Sequence, residues 1–174
     1  FEGHSTDYQT KFKLRELVED GVGILKVGPG LTYAAREGIF ALCMIEEELA
    51  QVYGFETSHF REELDKAMLA NPGKWAPYYH GTEKEVAFKR KYSFSDRCRY
   101  YLPQENVKNA LAKLLTNLKE HPVPLPLLSQ YMPFQYTMVR EGKLNNTPED
   151  LIKARVMYTI EEYTYASHQE ELVR

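Results

Sequence analysis

The stretch 22–27 (VGILKV) constrains the fold more than any other part of the chain. It is short, β-branched and almost continuously apolar, the pattern of a strand buried on both faces. What flanks it fixes its context. Upstream, residues 1–4 read as the end of another strand, Ser5-Thr6-Asp7-Tyr8 as a polar loop, and Phe12, Leu14, Leu17 and Val18 as the apolar face of a short helix ended by Asp20-Gly21. Downstream, Gly28-Pro29-Gly30 is a turn, and a long helix is expected over 32–51, with Gly54 beyond its end. Its buried stripe is expected at Ile39, Phe40, Cys43, Met44 and Leu49, with Glu46-Glu47-Glu48 mostly on the solvated side. Two strands joined by one crossover helix run parallel. Two parallel strands alone are not a stable sheet. Further strands are therefore expected upstream, and Phe1-Glu2-Gly3-His4, which enters in mid-element without an initiator Met, is expected to lie inside a longer protein.

From residue 55 onward the pattern is helical. Ser58 is expected to cap a helix that runs to Ala70 and stops at Asn71-Pro72-Gly73. Residues 74–80 are aromatic and irregular, residues 83–91 suggest a short charged helix, and Ser95 is expected to cap a helix through Tyr101, before Pro103. Val107, Ala110, Leu111, Leu114, Leu115 and Leu118 follow the i, i+3, i+4, i+7 spacing of a buried stripe. Pro122, Pro124, Pro126 and Pro133 divide the next segments, and Gly142 suits a helix stop. Thr147-Pro148-Glu149-Asp150 combines an N-cap, proline at the first helical position and acids in the first turn, so a last helix is expected to about Ser167. The expected fold is mainly α: residues 1–53 as the last one or two β/α units of a (β/α)8 barrel or the edge of a doubly wound sheet, and 54–174 as a helical region.

Composition excludes several classes. Across 174 residues, 43% hydrophobic and 27% charged, the balance is that of a globular protein. The net charge of -3 gives no basic footprint for nucleic acid. No apolar run approaches the ~18–20 residues of a membrane span, and no signal peptide is visible. Cys43 and Cys98 lie in apolar or aromatic stretches without CxxC spacing, which reads as two reduced, packed thiols in a cytoplasmic protein. The 13 tyrosines are expected at core edges and interfaces.

Three motifs carry candidate chemistry. His4-Ser5-Thr6-Asp7 follows a strand end, where barrel sites lie; His4 can act as ligand or acid/base with Asp7 orienting its ring. The alternative is an Asx or Ser turn leading into the next helix. A zinc site needs three or four ligands; only His4 is placed for it, and no HxH or HxxxH is present. Lys26-Val27-Gly28-Pro29-Gly30-Leu31-Thr32 offers backbone N–H groups and a helix N-terminus to a phosphate, although it matches neither GxxxxGK[ST] nor GxGxxG; the alternative is a tight turn using glycine for its backbone freedom. In the segment 92–101, Arg97 or Arg99 can take a phosphate bidentately, or the cluster is structural, with Asp96 at a helix start, arginines paired to carboxylates and tyrosines packed on the barrel; the structural reading is slightly favoured. Arg36-Glu37 is read as a solvated or interdomain ion pair. His59, His80, His121 and His168 form no pattern.

Four segments resemble one family: HSTDYQT at 4–10, ILKVGPGLTYAAREGIFAL at 24–42, YSFSDRCRYYLP at 92–103, and LSQYMPFQY with EGKL at 128–144. They are similar, in order, to the GatZ/KbaZ-type accessory subunit of class II D-tagatose-1,6-bisphosphate aldolase; residues 51–91 and those after Thr147 match poorly. The resemblance implies a (β/α)8 barrel with helical additions in a protein of roughly twice this length, of which this chain is the C-terminal part. It implies a non-catalytic, chaperone-like partner of a zinc-bearing catalytic aldolase subunit in galactitol and N-acetylgalactosamine catabolism. No cofactor is implied for this chain and no metal site. Relatives also carry the label tagatose-6-phosphate kinase, for which this stretch offers no recognised nucleotide motif. The candidate sugar-phosphate residues are His4, Ser5, Asp7, Lys26, Gly28, Gly30 and Thr32, with Arg97 and Arg99 in second rank.

Overall fold

The computed structural model describes residues 1–169. A pair of very short strands, β1 (Glu2–Gly3) and β2 (Ile24–Leu25), brackets helix α1 (Lys11–Glu19). Then follow α2 (Gly30–Tyr53), α3 (Phe60–Ala70), α4 (Glu83–Tyr92), α5 (Glu105–Glu120), α6 (Leu125–Tyr131), α7 (Pro133–Arg140) and α8 (Pro148–Ala166). Single 3₁₀ turns occur at Pro72–Lys74 and Cys98–Tyr100. The fold is mainly helical.

The strands pair in parallel, Glu2 opposite Ile24 and Gly3 opposite Leu25, as one crossover helix requires. The expectation of a strand buried on both faces does not hold for the described residues: only two residues pair, and Ile24 is 58% exposed. The apolar residues are there, but among the described residues no further element covers Ile24. The apolar face expected for α1 is likewise only partly used. Leu14 is buried against α8, whereas Phe12 and Leu17 stay exposed.

α2 is the central element. It packs on α3, α5, α6 and α8, and α8 in turn carries α1. Leu42, Ile45 and Leu49 of α2 meet Phe60, Leu64 and Met68 of α3, Leu114 and Leu118 of α5, Leu128 of α6 and Leu151 of α8 in one cluster. Gly38 lies at the α2–α8 crossing, where a Cβ would stand 3.4 Å from the Ile152 Cα. Helix ends follow local chemistry. Gly54 closes α2 at φ 74°, Thr82 and Glu85 form a reciprocal capping box on α4, and the Thr147 hydroxyl accepts from the Asp150 N–H. Proline at 133, with no N–H to give, separates α6 from α7.

Five expectations are corrected. Glu46 is buried, not solvated: its Oε1 accepts from the Ser58 N–H (2.9 Å) and Asn117 Nδ2 (2.6 Å), and its Oε2 from the Ser58 hydroxyl (2.6 Å). That bond draws Ser58 away from the N-cap of α3, which falls to His59 at φ 52°. Residues 95–101 form no α-helix; the Asp96 carboxylate turns back onto the Cys98 N–H and leaves only a 3₁₀ turn. Arg36 is no solvated ion-pair member: it is buried, its guanidinium carbon 4.3 Å from the Tyr33 ring centre and 5.0 Å from that of Phe40. Its Nε faces buried Asp96 at 3.9 Å, too long for a hydrogen bond, while Glu37 pairs with Arg155 of α8. Met44 of the expected stripe is only half-buried, and Ile45 takes its place. Cys43 and Cys98 are free and buried, and burial pushes both thiols well above the usual range.

Candidate functional site

The loop after β1 is pinned at three successive side chains. The Thr6 hydroxyl donates to the Lys26 carbonyl (2.7 Å) and lies 3.0 Å from the Tyr163 hydroxyl of α8. The Asp7 carboxylate accepts from the Gly28 N–H (3.0 Å) and the Gly30 N–H (2.7 Å), at the positive end of α2. The Tyr8 hydroxyl donates to the Phe94 carbonyl (2.7 Å), and its ring packs on Tyr33 and Phe94. Ser5 (φ 56°) and Tyr8 (φ 64°) are left-handed without being glycine, a strain on the order of 1–3 kcal/mol each that these bonds offset. Burial raises the Tyr8 and Tyr163 phenols above their ordinary values, keeping both neutral and able to donate.

The glycines of the turn are required by Asp7. A Cβ at Gly28 would come 2.7 Å from Asp7 Oδ2, and one at Gly30 equally close to Oδ1. The N–H groups that the sequence offers to a phosphate thus already hold an internal carboxylate. Thr32 donates to the Pro29 carbonyl (3.0 Å) within the same turn. Asp7, Gly28, Gly30 and Thr32 therefore come together as the frame of the site.

On that frame the strand ends display a charged trio. Lys26 Nζ lies 2.6 Å from Glu2 Oε1, and His4 Nε2 lies 3.0 Å from the same oxygen. Alternation along β1 puts Glu2 and His4 on one side, and the parallel register brings Lys26 beside them. All three side chains are partly open to solvent, at 39%, 66% and 55% for Glu2, His4 and Lys26. His4 is thus oriented by Glu2 and not by Asp7. Ser5 is exposed on the same loop.

Beside the loop, a cleft of about 130 Å³ opens between residues 7–9, the start of α2 and α8, with Tyr33, Glu37, Arg155, Tyr158 and Glu162 in its wall. Burial raises the Glu162 carboxyl above the usual range, against the pull of Arg155 and Lys11. Arg97 and Arg99 gather elsewhere, around Tyr78 and Tyr100. Their link to the loop is the Tyr8–Phe94 hydrogen bond just upstream. Among the described residues no three His, Cys, Asp or Glu side chains gather as a metal site. Sequence reasoning missed Glu2, Tyr163, Arg155 and Glu162. Glu2 was accessible through the period-two relation to His4, whereas the others come from α8, far away in sequence.

Fold and site define a class: a helical body bearing two parallel β–α units, with its polar side chains collected at the carboxyl ends of the strands. The sequence model of the family described as D-tagatose-1,6-bisphosphate aldolase subunit GatZ/KbaZ-like matches residues 1–168, and the chain belongs to that family. A crystal structure of a probable tagatose 6 phosphate kinase from Sinorhizobium meliloti 1021 superposes with a TM-score of 0.86 at 40% identity. The match covers 95% of this chain and 42% of that one, so this chain spans less than half the length of that relative. No helix among the described residues is long and apolar enough to cross a membrane.

Proposed function

We propose that the chain contributes the last one or two β/α units of a (β/α)8 barrel (residues 1–53) and the helical C-terminal region (54–174) of an accessory subunit for D-tagatose-1,6-bisphosphate aldolase. The observation that carries this reading is the family match over residues 1–168. The parallel pair of strands, with polar groups at their carboxyl ends, supports the barrel, since barrel sites sit at that end. In this reading the zinc resides on a separate catalytic class II subunit, this chain brings no cofactor, and its role is to steady that partner. The setting is the cytoplasm, at the tagatose 6-phosphate stage of galactitol and N-acetylgalactosamine catabolism. Neither nucleic acid nor membrane is a partner.

The pocket of this subunit takes a sugar phosphate at the strand ends. Lys26 and His4 offer donors to sugar oxygens, and Glu2 can accept from a hydroxyl while holding both. Ser5 lies on the rim; Asp7, Gly28, Gly30 and Thr32 keep its shape. If Lys26→Ala and His4→Ala leave sugar-phosphate binding by the intact protein unchanged, the pocket is misplaced.

The second reading, a kinase acting on tagatose 6-phosphate, is favoured by the name of the 40% identical relative. Phosphoryl transfer needs a phosphate cradle and a metal. The glycine turn at 28–30, the candidate cradle, is filled by Asp7. The deciding experiment adds the full-length protein to its cognate aldolase subunit and follows cleavage of tagatose 1,6-bisphosphate beside ATP-dependent ADP release. A gain in aldolase activity or lifetime without ADP supports the accessory role. Sugar-dependent ADP formation with no effect on the aldolase sinks it.

A further inference from the structure

Arg97 and Arg99 do not join the strand-end trio; they converge on Tyr100. Arg99 Nη2 donates to the Tyr100 hydroxyl at 3.0 Å, and its guanidinium carbon stands 4.7 Å from the ring centre. Its Nη1 is anchored on the Asp96 carbonyl at 2.8 Å, which fixes the plane of the group. Arg97 lies flat on Tyr78, 3.5 Å from the ring centre, with Nη2 3.3 Å from the Ser95 hydroxyl and Nε buried without a partner. Lys74 Nζ stands 5.8 Å from the Tyr100 ring centre on the same surface. None of these three cations has an ion pair among the described residues, in a chain where most other arginines reach a carboxylate. Asp96, the acid next to Arg97 in the chain, is buried and faces Arg36. The aromatic rings are open: Tyr78 is 55% exposed and Tyr100 43%.

Two fixed guanidinium groups flanking a phenol, their only acceptors among the described residues being neutral oxygens, form a doubly positive surface. Guanidinium forks match the oxygens of a phosphate in geometry and charge. The hydroxyl between them is itself held below its ordinary pKa, by the hydrogen bond from Arg99 first, then by the Arg99 charge and, more weakly, by Arg97, as expected where positive potential gathers. The glycine turn, by contrast, already carries its anion in Asp7.

We propose that Arg97, Arg99 and the Tyr100 hydroxyl, with Lys74 at the edge, bind the dianion of a small phosphate monoester. This surface is a second anion site, separate from the strand-end pocket, and it rests on the proposed function only for the identity of the sugar. The sugar end of such a ligand extends along the exposed Tyr78 and Tyr100 rings.

The test titrates the intact full-length protein with inorganic phosphate, a ketohexose 6-phosphate and the unphosphorylated ketohexose, followed by calorimetry and thermal shift. Phosphate and the phosphorylated sugar are expected to bind and the free sugar not to. Arg97→Gln and Arg99→Gln are each expected to weaken both interactions about tenfold or more. Tyr100→Phe, which leaves the stacking in place, is expected to weaken them less, and Lys26→Ala is expected to leave inorganic phosphate unaffected. Circular dichroism of each variant separates lost binding from lost folding. Wild-type affinity in both arginine variants overturns the proposal, as does phosphate binding that chloride at equal ionic strength abolishes. Failure here with the aldolase still assisted removes only the anion site; phosphate binding with no effect on the aldolase removes only the accessory role.

Discussion

Glu46 is a carboxylate in the middle of the central helix, with no cation within ion-pair distance among the described residues. It is tolerated because three donors reach it, two from Ser58 and one from Asn117, so it ties the α2–α3 connection to α5. Glu46→Ala strands those donors in the interior, and a loss of about 3 kcal/mol is expected in urea unfolding of the intact protein. Asp7 is the second such anchor. Gly30→Ala forces its carboxylate off the α2 N-terminus, because the new methyl would sit 2.7 Å from Oδ1. A cost of about 2 kcal/mol is expected from the lost charge-assisted bonds, and Asp7→Ala combined with Gly30→Ala should cost less than the sum of the two. Glu162 behaves oppositely. Its folded pKa is raised by burial, so its contribution is fully present below the unfolded pKa and is lost as pH rises through the folded one. Glu162→Gln is therefore expected to unfold at higher temperature than the wild type near neutral pH, and the difference should shrink as the buffer is taken below the ordinary glutamate range. Neither buried charge, Glu46 nor Arg36, was legible in the sequence. A helix pattern ranks glutamate and arginine as solvated, and only the distant partners, Ser58 and Asn117 for Glu46, Tyr33 and Phe40 for Arg36, make burial possible.

At the scale of elements, punctuation was legible and irregularity was not. Thr147-Pro148 begins α8, Pro133 divides α6 from α7, Gly54 ends α2, and the apolar spacing of α5 gives a buried stripe, because each of these is a local effect of backbone donors or side-chain period. Residues 95–101 carry an equally plausible cap, yet the Asp96 carboxylate closes on the Cys98 N–H and the Tyr79 hydroxyl donates to the Ser95 carbonyl, so tertiary bonds replace helical ones. That Tyr79 phenol is pushed up to about 12, chiefly by burial. The α2–α8 crossing depends on Gly38, whose missing side chain lets the Ile152 backbone approach. Gly38→Leu must part these helices, and a cost of about 1–3 kcal/mol is expected by chemical denaturation. Because the Glu37–Arg155 pair and the wall of the 130 Å³ cleft lie along the same crossing, the variant should also disturb that cleft.

For the whole molecule, the sequence made the order of elements legible, together with the parallel direction of the strands. It could not reveal that the strand pair would be only two residues long, since pattern alone does not count neighbours. The consequence is an uneven distribution of stability. Cohesion is concentrated in α2, α3, α5, α6 and α8, whose apolar side chains form one cluster, while β1, β2 and α1 contribute little beyond Leu14 and leave Ile24, Phe12 and Leu17 exposed. The loop between them is held mainly by hydrogen bonds to the α2 start, to α8 and to Phe94. Opening energies follow buried contacts, so hydrogen exchange on the free 174-residue polypeptide should divide the chain. Amides in the middle of α2 and α5 are expected to exchange slowest, with those of residues 1–27 at least about a hundredfold faster. The same amides should slow markedly in the full-length protein if upstream strands cover Ile24. Equal protection of residues 1–27 in both would mean that the two strands need no further sheet, and would remove the structural support for the barrel.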